Sequence, residues 1–364
     1  MKRHRAIRFW SLLYPVFVSF TLNSGFSREQ RPVAEESRAA DSLLIIGMVN
    51  NGASAQFTLP GKFGNRIIDS TPDVERAIEQ ALKSREPSTD ITLIAEVNYF
   101  KLNKAEYFVP ITLKIPGMQL ANNGYARRLF LDFSFEVRDD SGAVVQNFRE
   151  AVDVRLSDET AQVLPSRLVA YDTGFTLLPG KYSIKFLVRD GTTDHIGTYK
   201  TSFVIPNLLK DAKNLPISSV VLSSELFNVE HALSNSMQPR IFSLDDQLAA
   251  DPLAVEGKKL IPSVTRTFSK RRDLLVFLDA YVADAAEPKP LKAFITLYRG
   301  QTSVLETPPL TVKDDSAQAS GKLRVRLRVA LTSLPPGAYD CVVTILDPAS
   351  QKSVSWRSPI NIVN

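Results

Sequence analysis

The feature that most constrains the fold is a regular alternation of apolar and polar residues in two separate parts of the chain. Residues 322–329 read Lys-Leu-Arg-Val-Arg-Leu-Arg-Val, and residues 182–189 carry Tyr, Ile, Phe and Val at every second position. Successive side chains of a β-strand point to opposite faces of the sheet, so this pattern predicts strands with one buried face. Such segments bury their apolar surface between sheets rather than between helices.

Short segments of this kind recur from residue 91 to the C-terminus, separated by turn signals such as Asp139-Asp140-Ser141-Gly142. They predict strands at 92–100, 107–115, 129–138, 144–147, 151–156, 168–177, 180–189 and 197–204, and again at 260–268, 274–282, 292–298, 302–305, 322–330, 337–346 and 354–362. Seven or eight strands in roughly 115 residues fit an immunoglobulin-like sandwich. We predict a mainly β protein with two tandem immunoglobulin-like (Greek-key) β-sandwich domains, at 88–207 and 251–364, joined by a linker at 208–250.

The two halves share a sequence motif, Leu-x-Pro-Gly-x-Tyr, which indicates related sandwiches. The first copy contains Gly180 and Tyr182, and the second contains Gly337 and Tyr339. Proline restrains the approach to a strand and glycine permits a sharp turn into it. Each tyrosine can fold its hydroxyl back onto upstream backbone, as in the tyrosine corner of Greek-key sandwiches. We therefore expect these four residues to be structural rather than catalytic.

One helix is predicted, at residues 70–87. Thr71 can cap its N-terminus, Pro72 suits the first helical position, and Asp73 and Glu75 favour the positive end of the helix dipole. Apolar residues then follow at helical spacing, and Pro87 ends the segment.

The first 27 residues have the three parts of an export signal. Four basic residues precede an uncharged apolar stretch at 9–22, and small polar residues follow. We predict a signal peptide at 1–27 and an exported protein that is periplasmic, attached to the cell envelope or secreted. An uncleaved N-terminal anchor is the alternative. Residues 28–69 are predicted to form a solvated spacer, in which 43–49 and 56–59 could pair as a short hairpin.

The charge balance argues against a polyanionic partner. The chain carries 44 Lys and Arg against 39 Asp and Glu, but four of the basic residues lie in the leader, so the rest is nearly neutral. We therefore predict no nucleic-acid partner, and no transmembrane segment beyond the leader. A basic patch for anionic glycans or lipid headgroups could still form locally, although a solvated face is the simpler interpretation. Its candidate residues are Lys270, Arg271, Arg272, Arg324, Arg326 and Arg328.

Cysteine and histidine content argue against a metal centre or a cofactor. Cys341 is the only cysteine and lies in an apolar run, so it predicts a buried core residue and excludes an intramolecular disulfide. The three histidines are scattered, and no Cys-x-x-Cys or His-Glu-x-x-His motif occurs. The phosphate-binding and dinucleotide-binding glycine motifs are absent as well. We predict no cofactor.

Two loops deserve comparison with catalytic or metal-binding sites. His195 follows Asp194 and could act as a general base with an orienting acid, but no nucleophile motif accompanies it, so a hairpin-loop histidine is favoured. The loops with Asp139 and Asp140, and with Asp190 and Asp194, could bind calcium through clustered carboxylates. Placement of these acids in turns is the alternative that we favour.

Short motifs in both halves resemble the C-terminal β-rich region of bacterial von Willebrand factor A-related proteins, which are abundant in Acidobacteria. The segments that carry the resemblance, in the same order, include Phe108-Val109-Pro110-Ile111, Val137-Arg138-Asp139-Asp140-Ser141-Gly142, Ile217-Ser218-Ser219-Val220-Val221-Leu222, Gly257-Lys258-Lys259-Leu260-Ile261-Pro262 and Glu306-Thr307-Pro308-Pro309. They cover most of residues 88–364. The resemblance implies exported β-rich modules of unassigned activity.

The A domain of those proteins is not part of the resemblance. Its Asp-x-Ser-x-Ser metal motif has no counterpart here, since Asp132-Phe133-Ser134-Phe135 lacks the second serine. The resemblance therefore does not imply metal-dependent adhesion for this chain. We expect an exported non-enzyme that acts as a binding or envelope-scaffolding module, with an unidentified protein or glycan partner. The alternatives are an adhesion or glycan-binding accessory protein and a hydrolase with an unrecognised acidic site.

Overall fold

The computed structural model describes residues 43–45, 71–121, 126–208, 215–228, 251–255, 258–282, 290–313 and 321–364. The predicted signal peptide lies outside these ranges, as does the spacer apart from 43–45. Among the helices within them, none is long and apolar enough to cross a membrane.

The predicted N-terminal helix is confirmed as α1 (Pro72–Lys83). Thr71 accepts a hydrogen bond from the Val74 backbone N–H at 3.4 Å, which caps the first turn. A second helix, α2 (Asp158–Val163), was not expected from the sequence. It has only six residues, too few for a periodic pattern, although Ser157 caps it in the same way as Thr71 caps α1.

The first half folds into two facing sheets. Its strands are β1 (Leu43–Ile45), β2 (Ile94–Val97), β3 (Phe100–Lys101), β4 (Tyr107–Pro116), β5 (Arg128–Asp139), β6 (Val144–Arg155), β7 (Leu168–Leu177), β8 (Gly180–Asp190) and β9 (Ile196–Ile205). One sheet has the order β1-β7-β4-β2, with β3 also paired to β4, and the other has the order β6-β5-β8-β9. Aromatic rings fill the space between them, and Phe133 stacks on Tyr171 with 3.8 Å between ring centroids.

The second half repeats this plan. Its strands are β10 (Val221–Ser223), β11 (Leu226–Asn228), β12 (Ala254–Val255), β13 (Lys258–Leu260), β14 (Thr267–Ser269), β15 (Asp273–Tyr281), β16 (Leu291–Arg299), β17 (Thr302–Glu306), β18 (Leu310–Val312), β19 (Lys322–Ala330), β20 (Gly337–Asp347) and β21 (Lys352–Val363). The sheet β10-β15-β19 faces the sheet β14-β21-β20-β16-β17, in which β18 also pairs with β16. A small third sheet has the order β11-β13-β12.

Strand order is the same in the long strands of both halves. In the first, β4 pairs with β7 while β5 pairs with β8 and β8 with β9. In the second, β15 pairs with β19 while β16 pairs with β20 and β20 with β21. The chain thus passes from one sheet to the other at equivalent points. The β-rich, sandwich-type architecture is confirmed; the immunoglobulin-like assignment stays a prediction, which this strand order favours.

Three details of the sequence prediction were wrong. Residues 144–147 and 151–156 belong to one strand, β6, because the charged pair Arg149-Glu150 between them is held by partners within the sandwich. The predicted strand 260–268 is broken into β13 and β14, since Pro262 lacks an N–H donor and Arg266 has a φ of 53°.

The third correction concerns the predicted linker at 208–250. Its described part contains β10 and β11, and β10 pairs with β15 inside the second sandwich. Val221 and Leu222 are fully buried there. Three-residue strands are too short to show alternation, which is why the sequence pattern did not reveal them.

Candidate functional site

The two motif tyrosines occupy equivalent positions. The Tyr182 hydroxyl donates to the Leu178 carbonyl oxygen at 2.9 Å, and the Tyr339 hydroxyl donates to the Pro335 carbonyl oxygen at 2.6 Å. Their glycines are needed for different reasons. At Gly180 the reason is lack of space, because a Cβ there would lie only 2.9 Å from the Tyr182 hydroxyl oxygen.

At Gly337 the reason is backbone conformation, because its φ of 145° lies in a region that residues with a side chain rarely adopt.

Acidic residues are interleaved with the six candidate basic-patch residues. Arg328 Nε lies 2.6 Å from Asp273 Oδ2, Arg324 Nε lies 3.5 Å from Asp279 Oδ1, and Arg272 Nη1 lies 3.5 Å from Glu225 Oε1. Lys270 and Arg271 are in the turn between β14 and β15, next to Arg272, while Arg326 is on β19 between Arg324 and Arg328. The positive charge of this region is therefore offset by three carboxylates.

The loops considered for catalysis or calcium are organised as turns. His195 is exposed in the hairpin between β8 and β9, and Asp194 pairs with the Arg189 guanidinium. Asp139 Oδ1 accepts from the Ser141 hydroxyl at 2.6 Å and from the Ser141 backbone N–H at 2.9 Å. The Ser141 hydroxyl bond lowers the pKa of Asp139. Asp190 Oδ1 likewise accepts from the Thr192 N–H at 2.8 Å.

Two further observations bear on chemistry at single residues. Cys341 is buried, as predicted, and burial raises the pKa of its thiol to about 12, so the thiol is not activated. Within the residues that the structure describes, no group of three or more His, Cys, Asp or Glu side chains could hold a metal ion.

The most unusual chemistry lies where the sequence patterns did not indicate it, between the two sandwiches. The face of the β4–β7 pair that points away from the first core is polar, with Thr112 directly opposite Asp172 and Lys114 opposite Ala170. All four residues are nevertheless buried. The contacts of this face are with the small sheet β11-β13-β12 and the residues around it.

At the centre of this contact Lys259 of β13 meets two carboxylates. Its Nζ is in direct contact with Asp172 Oδ2 of β7 and lies 2.6 Å from Asp251 Oδ2. The exposed fractions are 5% for Lys259, 1% for Asp172 and 2% for Asp251, so bulk water is excluded from all three. The Thr112 hydroxyl donates to Asp172 Oδ1 at 2.8 Å, and Asp251 Oδ1 accepts from the Leu253 N–H at 3.0 Å.

The proton affinities of this triad reflect burial and mutual charge. Burial, together with the neighbouring Asp251 carboxylate, raises the pKa of Asp172 above its ordinary value in spite of Lys259. Burial lowers the pKa of Lys259, but the two carboxylates outweigh it and the pKa lies above the usual lysine value. Burial and neighbouring charges thus raise the pKa of both Asp172 and Lys259 in a site closed to solvent.

Two more ion pairs cross the same contact. Arg266 Nη2 lies 3.0 Å from Glu96 Oε1, and Lys114 Nζ lies 3.6 Å from Glu225 Oε2. Burial raises the pKa of Glu96 although Arg266 opposes the effect.

Neutral contacts complete the junction. The Tyr99 N–H donates to Ser219 Oγ at 2.9 Å, and the Lys101 N–H donates to the Tyr281 hydroxyl at 2.7 Å. The rings of Phe100 and Phe277 lie 5.8 Å apart. The two sandwiches are therefore joined by a buried, mixed polar and apolar surface.

Helix α1 covers a different face, the outer side of the sheet β6-β5-β8-β9. Arg149 Nη1 lies 2.6 Å from Glu75 Oε1 in the first turn of the helix, and its Nη2 lies 3.1 Å from Asp132 Oδ2. At the other end, Lys185 Nζ donates to the carbonyl oxygens of Ala81 at 2.7 Å and Ser84 at 2.6 Å. The helix is thus fixed to the sheet at both ends.

Comparison with known proteins gives no family. No protein-family model matches the chain, and no curated protein matches it either. Among solved structures, a β-glucuronidase from Bacteroides uniformis is similar at 10% identity and a TM-score of 0.23, over 31% of this chain and 13% of that chain.

A β-glucuronidase from Parabacteroides merdae is similar at 10% identity and a TM-score of 0.21, over 73% of this chain and 28% of that chain. The matched regions are thus minor parts of both enzymes. Likeness at this level carries no conclusion about activity.

Proposed function

We propose that the protein is an exported, non-catalytic module of the cell envelope, whose two sandwiches are held together as a scaffold that binds a protein or glycan partner. One observation supports this above the others. The buried charged side chains of Asp172, Lys259 and Asp251 contact one another across the junction of the sandwiches rather than lining an open cleft. Their arrangement serves to connect the two halves.

Export is tested by producing the whole chain with its own leader in a bacterial host. We expect the protein in the periplasmic or secreted fraction, and N-terminal sequencing then shows whether the leader is removed. The mature protein, immobilised and washed at raised salt, is expected to retain a defined component of envelope extract. Retention in the cytoplasm, or turnover of a panel of aryl glycosides and peptides by the purified protein, would overturn the proposal.

A glycan-binding role is the second candidate, and β16 provides the observation that favours it. Ala293, Ile295 and Leu297 face the core, so Phe294 and Tyr298 lie on the opposite face of the sheet, where both are partly exposed. Partly exposed aromatic rings on one sheet face offer flat apolar surface with a polar hydroxyl. Binding to a glycan array that is lost in Phe294→Ala would select this role over protein scaffolding.

A further inference from the structure

We propose that Lys259 and Asp172 are joined by an intramolecular amide bond, formed by the folded protein itself, with Asp251 carrying the proton that must move. The bond would link β13 of the second half to β7 of the first. The two residues are 87 positions apart in the chain.

Geometry is the first argument. The amine nitrogen of Lys259 is in direct contact with the Asp172 carboxyl group, and Asp251 Oδ2 lies 2.6 Å from the same nitrogen. The nucleophile, the carbon that it would attack and an acid–base group thus stand together before any reaction. Because β7 and β13 are fixed by their own sheets, the three groups are pre-positioned, which is the main requirement for a reaction between weakly reactive partners.

Burial favours the neutral form of the Asp172 carboxyl group and raises its pKa, whereas the two carboxylates hold the proton on Lys259 until the reaction. Passing one proton from the Lys259 ammonium to the Asp172 carboxylate leaves a neutral amine and a neutral acid without any exchange with solvent. The neighbouring Leu253 and Leu260 are buried and apolar, so no bulk solvent competes for the amine.

The reaction balances without an oxidant, a reductant or another reactant. Lys259 Nζ attacks the Asp172 carboxyl carbon, a C–N bond forms, and the bond from that carbon to its hydroxyl oxygen breaks. Asp251 accepts one amine proton and passes it to the departing hydroxyl, which leaves as water. The nitrogen keeps its other hydrogen as the amide N–H.

Thr112 has a defined place in this step. Its hydroxyl donates at 2.8 Å to Asp172 Oδ1, the oxygen that becomes the amide carbonyl. Negative charge develops on this oxygen during the attack, and an aligned donor stabilises it. A simple ion pair would need neither this donor nor the second carboxylate, which adds a buried negative charge that one lysine does not neutralise.

The same junction contains a natural comparison. Lys114 is also buried, but its Nζ lies 3.6 Å from Glu225 Oε2, and Arg272 shares that carboxylate. Glu225 is thus engaged by two cations, whereas Asp172 is engaged by one lysine and one threonine, and the second acid, Asp251, contacts that lysine. We expect Lys114 to stay unmodified.

Mass spectrometry of the whole, denatured protein tests the bond directly. We expect wild type to lack the mass of one water molecule relative to its sequence, and Lys259→Arg to have its full mass. Arginine keeps the positive charge but its guanidinium does not form the amide, so this variant controls for folding and for processing of the leader.

Tryptic peptides locate the bond. Trypsin does not cut after a lysine whose amine is acylated, so we expect one branched peptide that contains residues 168–181 and 259–266. Cutting after Lys114 should be normal. Finding residues 168–181 only as a linear peptide, with the full mass of the intact wild type, would overturn the proposal.

The role of Asp251 is tested with Asp251→Asn, which leaves Lys259 and Asp172 in place. We expect the branched peptide to be lost or strongly reduced, with a circular dichroism spectrum like that of wild type. Complete formation of the branched peptide in this variant would overturn the assignment of Asp251 as the proton carrier. If the variant does not fold, the wild-type peptide map still decides the existence of the bond.

Discussion

Tyr339 in the second sandwich repeats the contact that Tyr182 makes in the first, since each hydroxyl donates to the backbone carbonyl four residues earlier. Each tyrosine is the third residue of a strand that begins with glycine, β8 at Gly180 and β20 at Gly337. Both strands lie inside a sheet rather than at its edge. The same local device therefore fixes the turn before an equivalent strand in both halves.

Removing either hydroxyl should weaken its own sandwich. Tyr182→Phe and Tyr339→Phe are each expected to lower the free energy of unfolding by about 1 kcal/mol, the usual contribution of one such hydrogen bond. Tyr339 is more deeply buried, so its variant should show the larger effect. Urea unfolding followed by circular dichroism measures both. Tyr199→Phe is the matched control, because the described residues provide no hydrogen-bond partner for its hydroxyl, and unchanged unfolding in both motif variants would refute the role.

Loss of the Lys259 side chain should destabilise the junction far more than loss of a surface lysine. Lys259→Met leaves both Asp172 and Asp251 buried without the nitrogen that they contact, and leaving buried carboxylates without their partner costs about 3–5 kcal/mol. Lys83→Met removes an exposed pair with Glu79 and should cost less than about 1 kcal/mol. Denaturant unfolding gives both values, and equal effects in the two variants would contradict a closed, water-free site.

The long strands could be predicted from sequence because their patterns are strong. The predicted ranges 168–177 and 322–330 coincide with β7 and β19. The strands of two or three residues from β10 to β14 were either not predicted or joined into one longer predicted strand. Their positions depend on pairing with neighbouring strands rather than on a pattern within each segment.

The buried triad could not be predicted, for a different reason. Charged residues are usually exposed. Lys259 lies in a short segment that runs from polar to apolar residues, and nothing in this segment indicated that the lysine side chain is buried. One hint existed: Asp172 is the only charged residue in the otherwise apolar and neutral strand β7. The residues that surround Asp172 are set by how the two sandwiches pack together. That packing depends on contacts between residues far apart in the chain.

Lys185 is expected to hold helix α1 on the first sandwich. Its ammonium donates to two carbonyl oxygens at the C-terminal end of the helix, where the dipole is negative. Lys185→Met should weaken this attachment by about 1 kcal/mol and raise the hydrogen-exchange rates of the α1 amides about fivefold. Lys200→Met, at the facing position on β9, is the control because that side chain is exposed. Unchanged α1 exchange in Lys185→Met would show that the helix is held by its other contacts.

Glu150 should make the protein less stable as pH rises. The Tyr171 hydroxyl donates to Glu150 Oε2 at 2.5 Å, but burial outweighs this bond and raises the pKa of the carboxyl group. The folded state then holds the proton at pH values where the unfolded state has released it, so stability falls from the ordinary glutamate pKa up to the raised one.

Glu150→Gln keeps an oxygen that can accept from Tyr171 but has no proton to lose. Its free energy of unfolding, relative to wild type, should therefore increase from about pH 4, the ordinary range of a glutamate pKa, and level off above the raised pKa of the folded state. Urea titrations at several pH values measure this difference. A difference that is constant with pH, or that shrinks as pH increases, would mean that the Glu150 carboxyl is well solvated or paired with a cation.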